Sequence, residues 1–223
     1  MAQNDEFIRE VDEEYRRDQL AKIWERYSGL IIAVVVLVVG GIGGWRYWEH
    51  MQESRAQAAA VRFEDAMKLS TEGKNAEADA ALDALAKEGD TGYGLLARFR
   101  LAAERGQQNA EAGAAAYDAL ANDASLAPIW KDLARLRAAW LRLDTAEPAK
   151  IRQTLEPMAV PSNAWRHSAR DLLGLSGLKA GDMEYAGRWF DQIAADRETP
   201  SALRQRLAIY TALVAGGPVQ VTQ

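Results

Sequence analysis

The chain has no cysteine. That removes disulfides, thiolate metal sites and a cysteine nucleophile together. It leaves the compartment open, since a cysteine-free chain tolerates oxidising and reducing surroundings alike. Histidine is nearly as scarce: His50 and His167 are the two, and neither has a second candidate ligand at metal spacing. Basic excess is lacking too. The net charge is −5, the wrong sign for a surface that must meet phosphates, so nucleic-acid binding is not expected. Prolines number six, and β-branched residues are sparse outside one stretch, so little interrupts helix formation. Alanine is abundant instead, and it gives up no side-chain entropy in a helix.

The one stretch rich in β-branched residues also lacks any charge. Residues 28–45 read SGLIIAVVVLVVGGIGGW. Eighteen residues rising about 1.5 Å each cover roughly 27 Å, close to a bilayer hydrocarbon core. Trp24 and Tyr27 precede the stretch, and Trp45, Tyr47 and Trp48 follow it, the placing of an aromatic belt at two interfaces. A transmembrane helix over 28–48 is therefore expected. Cleavage as a signal peptide is not, because bulky Trp45, Arg46, Tyr47 and Trp48 stand where a peptidase needs small residues. Arg16 and Arg17 form a twin pair, but Asp18 and Gln19 follow them and the apolar run starts ten residues later, so the pair reads as solvated charge. Arg9, Arg16, Arg17, Lys22 and Arg26 lie before the span, against Arg46, Arg55 and Arg62 after it. The positive-inside rule then puts the N-terminus in the cytoplasm and the large C-terminal part outside it, the periplasm in a Gram-negative cell. Gly40 and Gly44 share a helix face that would let a second helix come close, either a partner's or another copy's. Two readings stay open, that contact and the ordinary frequency of glycine in membrane helices.

Ahead of the span, residues 1–27 read as a helical tail. Phe7, Ile8, Val11 and Tyr15 form one apolar stripe, and Leu20, Ile23, Trp24 and Tyr27 another. Such a tail could lie on the membrane or dock a cytoplasmic partner. Eight acids against five bases in it argue against an electrostatic hold on anionic lipid, and a solvated helical extension fits equally well.

Behind the span, residues 49–215 are punctuated by turn signals in two alternating series. Gly73-Lys74-Asn75, Gly106 to Asn109, Asp144-Thr145 and Gly181-Asp182 lie 33, 38 and 37 residues apart. Gly89-Asp90, Asn122 to Pro128, Pro157 to Ser162 and Thr199 to Ser201 alternate with them. Glycine ends helices through positive φ, and Asn, Thr or Asp caps the next one. The series cut the region into about eight helices in four pairs, with a ninth from roughly 200 to 215. Helix pairs at this period make an all-α solenoid of the tetratricopeptide type. The fourth pair carries the pattern best: Leu173, Gly174, Gly181, Asp182, Ala186, Phe190, Ile193 and Pro200 sit at or near its defining positions, while Gly177 stands where a large aromatic is usual. In the first pair Ala66, Gly73, Ala78, Leu82 and Leu85 match, and in the third Trp130, Leu133, Ala134 and Ala149. The second keeps only the turn at Gly106. The ninth helix reads as a cap with the apolar stripe Leu203, Leu207, Tyr210 and Leu213, and residues 216–223 as a disordered tail.

The layout is similar to a known family. The segments FIREVDEEYRRDQLAKIWERYSG (7–29) and WRHSARDLLGLSGLKAGDMEYAGRWFDQI (165–193), with one span and an Ala-rich repeat domain between their ends, resemble the bacterial tetratricopeptide-like ancillary subunits of the Sec translocon, closest to the alphaproteobacterial branch. The resemblance implies a single-pass inner-membrane protein with its repeats in the periplasm. It further implies association with the translocon and a periplasmic chaperone, and assistance to exported clients. It supplies no catalytic residues and no cofactor.

The residues agree that enzyme chemistry is not expected. His167, Ser168 and Asp171 are close in sequence, but neighbours one apart on a helix point in different directions, so no triad forms. His167 and Asp171 are four apart and could pair, which would be ordinary surface electrostatics. A second functional class fits the same features: an envelope scaffold or a coordinator of cell division.

Overall fold

The computed structural model describes the backbone of residues 2–88 and 92–217, and side chains from Trp24 onward except Ile31. The apolar stripes expected over residues 7–23, the turn at Gly89-Asp90 and most of the expected tail, 218–223, lie outside the described residues. The described chain is all helical: α1 (Ala2–Thr71), α2 (Asn75–Lys87), α3 (Gly92–Gln108), α4 (Ala110–Ala121), α5 (Pro128–Leu141), α6 (Pro148–Leu155), α7 (Arg166–Ala180), α8 (Met183–Ala195) and α9 (Ser201–Gly216). It divides into two compact units between Ala58 and Ala59.

The first unit is helix alone. Its apolar segment has a mean hydropathy of 2.2 and buries none of its side chains within the chain. Val36, Leu37 and Val39 are each more than 60 % exposed, which in water would be costly at about 25 cal/mol per Å² of apolar surface. A helix apolar all round has to be covered by protein or lipid.

The second unit is the repeat array, beginning with the end of α1. Four apolar clusters follow one another along it. The first joins Ala59 and Ala66 to Leu82, Leu85, Ala97 and Leu101. The second joins α3, α4 and α5 through Ala102, Ala114, Tyr117, Leu120 and Ala134. The third joins α5 to α8 through Ile151, Leu155, Met158, Leu172 and Leu173. The last joins α8 and α9 through Ala186, Phe190, Ile193, Leu203 and Leu207. Each helix thus buries its apolar stripe against its sequence neighbours, which is what makes a solenoid quasi-one-dimensional.

Local chemistry explains where the helices stop. Gly73 and Gly181 take φ of +79° and +72°, the left-handed turn that a side chain disfavours. The Asp182 amide then closes onto the Gly177 carbonyl at 2.9 Å. Asn109 caps α4 by accepting from the Ala112 amide at 2.9 Å. Proline opens α5 and α6 at the first helical position, where no amide hydrogen is needed. Pro157 ends α6 early, because it has no amide hydrogen to give the carbonyl four residues back and its ring crowds that carbonyl. A short 3₁₀ turn over Glu156–Met158 follows instead.

Three expectations are corrected. Gly106 does not end α3, which runs on to Gln108. It is a crossing point: a Cβ on Gly113 would lie 2.3 Å from the Gly106 Cα, so the two glycines let α3 and α4 touch backbone to backbone. In the third pair Ala149 is exposed, and Ile151 and Leu155 are the buried positions. The connection between α5 and α6, residues 142–147, starts α6 later than a turn at Asp144-Thr145 alone would, so the buried register moves two places on. In α9, Val214 rather than Leu213 completes the stripe, as the i+4 and i+7 spacing from Leu203, Leu207 and Tyr210 requires; Leu213 is 47 % exposed.

Candidate interaction surface

On the first unit, Gly40 and Gly44 are exposed, and a Cβ added at either would meet nothing within 4 Å. Trp45 and Trp48 lie 5.8 Å apart in a tilted pair one turn further on.

On the second unit, the sequence-selected residues of the fourth pair meet at one place. Leu173, Ala186, Phe190 and Ile193 are fully buried. A Cβ on Gly174 would stand 2.3 Å from Phe190 Cε1, so the glycine makes the space that the phenyl ring fills. Tyr210 stacks on the other side of that ring at 4.8 Å. Gly177 departs from the repeat pattern because a Cβ there would lie 3.0 Å from Tyr185 Cδ1 and 2.9 Å from the Ala186 amide. Tyr185 fills the space from α8 instead. Asp182 caps α8 through the Tyr185 amide at 3.0 Å and accepts from Arg152 of α6 at 2.8 Å. The Arg152 guanidinium lies 3.7 Å from the Tyr185 ring centre, a cation over a π face. The Tyr185 phenol donates to Glu156 at 2.9 Å, and burial pushes it up to about 12. Pro200 precedes α9, and Gly181 makes the turn between α7 and α8.

His167 and Asp171 do not pair, and neither is at the surface. Both are more than nine-tenths buried, because α7 is packed on several sides. The Thr199 hydroxyl donates to the Ile193 carbonyl at 2.7 Å. Its one proton is then used, so His167 Nδ1, 3.3 Å away, donates to it. His167 Nε2 is left without a hydrogen bond, 3.8 Å from Asp196. Burial, then the Arg166 charge, lowers the His167 pKa. Asp196 accepts from the Glu198 amide and from Arg166 and Arg170, which hold its carboxyl at about 2. The cluster ties α7 to the turn before α9. It is a structural knot: the Thr199 hydroxyl in it is buried and spends its proton on the Ile193 carbonyl.

Two hollows open on the array. A broad groove of about 1160 Å³ is lined by α4, α5 and α6. Its floor is Ala138 and Ala139, and Arg142 bridges one wall by pairing with Glu111 at 2.6 Å and Asp118 at 2.7 Å. A smaller hollow of about 240 Å³ lies between α5, α7 and α9, the faces of first-in-pair helices. Leu133, Leu136, Trp140, Trp165 and Asp171 line it with Arg206. Trp140 is 51 % exposed. Of these, sequence reasoning singled out Leu133, as a repeat position, and Asp171, for the wrong partner. Asp171 pairs with Arg206 of α9 at 3.3 Å, thirty-five residues on, and no local pattern signals so distant a contact.

The tetratricopeptide repeat-like domain model matches residues 22–209, apolar segment and array together. The ancillary SecYEG translocon subunit of Escherichia coli K12 is 30 % identical over 164 residues, 71 % of this chain and 76 % of that protein. The chain belongs to this family. The member from Aggregatibacter actinomycetemcomitans is 26 % identical over 202 residues, covering 88 % of this chain and 94 % of its own. The Haemophilus influenzae member is 31 % identical over 98 residues, 43 % and 48 % of the two chains. No solved structure matches. Membership fits a membrane protein with one apolar helix near its N-terminus and a repeat scaffold behind it.

Proposed function

We propose that the chain is a membrane-anchored interaction module that associates with the Sec translocon and, with periplasmic chaperones, assists exported proteins. The observation that carries this is the 30 % identity to an ancillary SecYEG translocon subunit over most of both chains. Residues 1–27 are a cytoplasmic tail, 28–48 the span in the inner membrane, 49–215 the periplasmic repeats and 216–223 a tail. The excess of Lys and Arg ahead of the span supports that orientation. Gly40 and Gly44 are the helix-packing face, for a translocon helix or a second copy. The role is that of a non-enzymatic scaffold. Tethering raises the local concentration of the repeats at the membrane, which suits weak, repeated contact with clients.

In-membrane crosslinking of the full chain tests this. Recovery of Sec translocon components is the expected result, and recovery of unrelated complexes alone overturns it. Protease added to spheroplasts should remove the repeats; protection would reverse the orientation.

A further inference from the structure

Asp171 is 6 % exposed. Its Oδ1 accepts no hydrogen bond, and its Oδ2 has one long contact, to Arg206 at 3.3 Å. A carboxylate offers about four acceptor sites, so this one is far from satisfied. A buried acceptor left this way is costly. Burial raises its pKa, with Arg206 alone opposing. Oδ1 is closed off, so the oxygen that a donor in the hollow between α5, α7 and α9 can reach is Oδ2, which Arg206 satisfies only in part.

The rest of the wall narrows the choice of donor. Arg137 and Arg206 both line the hollow. A ligand ammonium or guanidinium would face two positive charges against one negative, so a cation is disfavoured. Trp140, Leu133, Leu136 and Leu172 supply an apolar bed. Trp165 is fixed by its indole donating to the Ile129 carbonyl at 3.0 Å, which makes it a rigid wall. A cavity of about 150 Å³ takes a benzene ring, and this one is about 240 Å³, enough for a ring with a polar substituent.

We infer that this hollow is a subsite for one neutral aromatic side chain bearing a polar hydrogen, a tyrosine or tryptophan of an extended partner segment, whose O–H or N–H donates to Asp171. It rests on the interaction-module reading and names what one part of that surface accepts.

The test uses the full chain in nanodiscs, with its seven tryptophans replaced by 5-fluorotryptophan and read by ¹⁹F NMR. N-acetyl-tyrosinamide should shift the Trp140 and Trp165 resonances saturably. N-acetyl-phenylalaninamide should bind the same place about three- to tenfold more weakly, the ratio that one net hydrogen bond supplies. Asp171→Leu should abolish that preference. Trp140→Ala should weaken both probes alike. Equal binding of the two amides, tighter binding of N-acetyl-lysinamide, a preference that survives Asp171→Leu, or shifts confined to other tryptophans would each overturn the assignment. Crosslinking of Asp171→Leu to translocon components is scored separately, so loss of the preference and loss of translocon contact are told apart.

Discussion

Gly174→Ala is the sharpest probe of the fourth helix pair. The added Cβ would lie 2.3, 2.6 and 2.9 Å from three atoms of the Phe190 ring, well inside van der Waals contact. The ring cannot retreat. It is fully buried, and Tyr210 stacks against its other side at 4.8 Å with an interplanar angle of 25°. Overpacking of this kind costs roughly 3 kcal/mol, the top of the usual range. Alanine also returns about 1 kcal/mol of helix propensity, which leaves a net loss of about 2 kcal/mol. For a domain this size that is a fall of roughly 4–8 °C in melting temperature. Gly187→Ala is the matched control: it is the same substitution inside α8, but the nearest atom is Val214 Cγ1 at 3.4 Å, so propensity should win and stability should hold or rise. Thermal unfolding of the full chain in detergent, followed by circular dichroism, reads both. Phe190→Leu should rescue Gly174→Ala, with a coupling of about 1–2 kcal/mol in the double-mutant cycle. If Gly174→Ala is as well tolerated as Gly187→Ala, the account of this packing is refuted.

Further outcomes follow from other sites. Gly113→Ala should cost about 3 kcal/mol or more, because its Cβ meets the Gly106 backbone and no smaller side chain can make room; Leu141→Ala should leave the melting temperature of the double variant no higher. His167 has a lowered pKa through burial and Arg166, so the unfolded chain takes up its proton first. Stability should therefore fall as pH drops below about 6.5, and His167→Asn should flatten the melting temperature across that window. The raised pKa of buried Asp171 works the other way: the unfolded carboxyl ionises first, and stability falls as pH rises above about 3.9. Asp171→Leu should accordingly raise the melting temperature at pH 7, by a margin that shrinks towards pH 4. Arg142→Met removes two partly exposed ion pairs and should cost no more than about 1 kcal/mol, in the same unfolding assay.

What the sequence made legible was what repeats. Turn glycines, caps and the spacing of apolar residues are local signals, and they delivered the helix pairs. The errors came where a unit departs from the period. A six-residue connection before α6 moved the buried positions from Ala149 to Ile151, and Gly106 read as a terminator because its partner, Gly113, is a contact across two helices. Asp171 was beyond reach for the same reason. Its environment is made by α5, α7 and α9 together, and nothing within a turn of it in sequence reports its burial. Acid on an otherwise apolar helix face reads as solvent exposure until the neighbours are known.

The irregularity also bears on where the array can bind. In a regular solenoid the buried positions are spent on stacking, so specificity must come from what the repeat does not prescribe. Here that is concentrated around α5. Pro157 cuts α6 to eight residues, and α5 packs closely against α4 but only lightly against α6. The broad groove opens on that side. On the opposite side α5 contributes Leu133, Leu136 and Trp140 to the smaller hollow. One helix therefore walls both hollows, with Ala138 and Ala139 facing one and Trp140 the other. A ligand side chain seated against Trp140 would touch the same helix whose Ala138 and Ala139 line the groove. The two surfaces thus share α5 as a common wall.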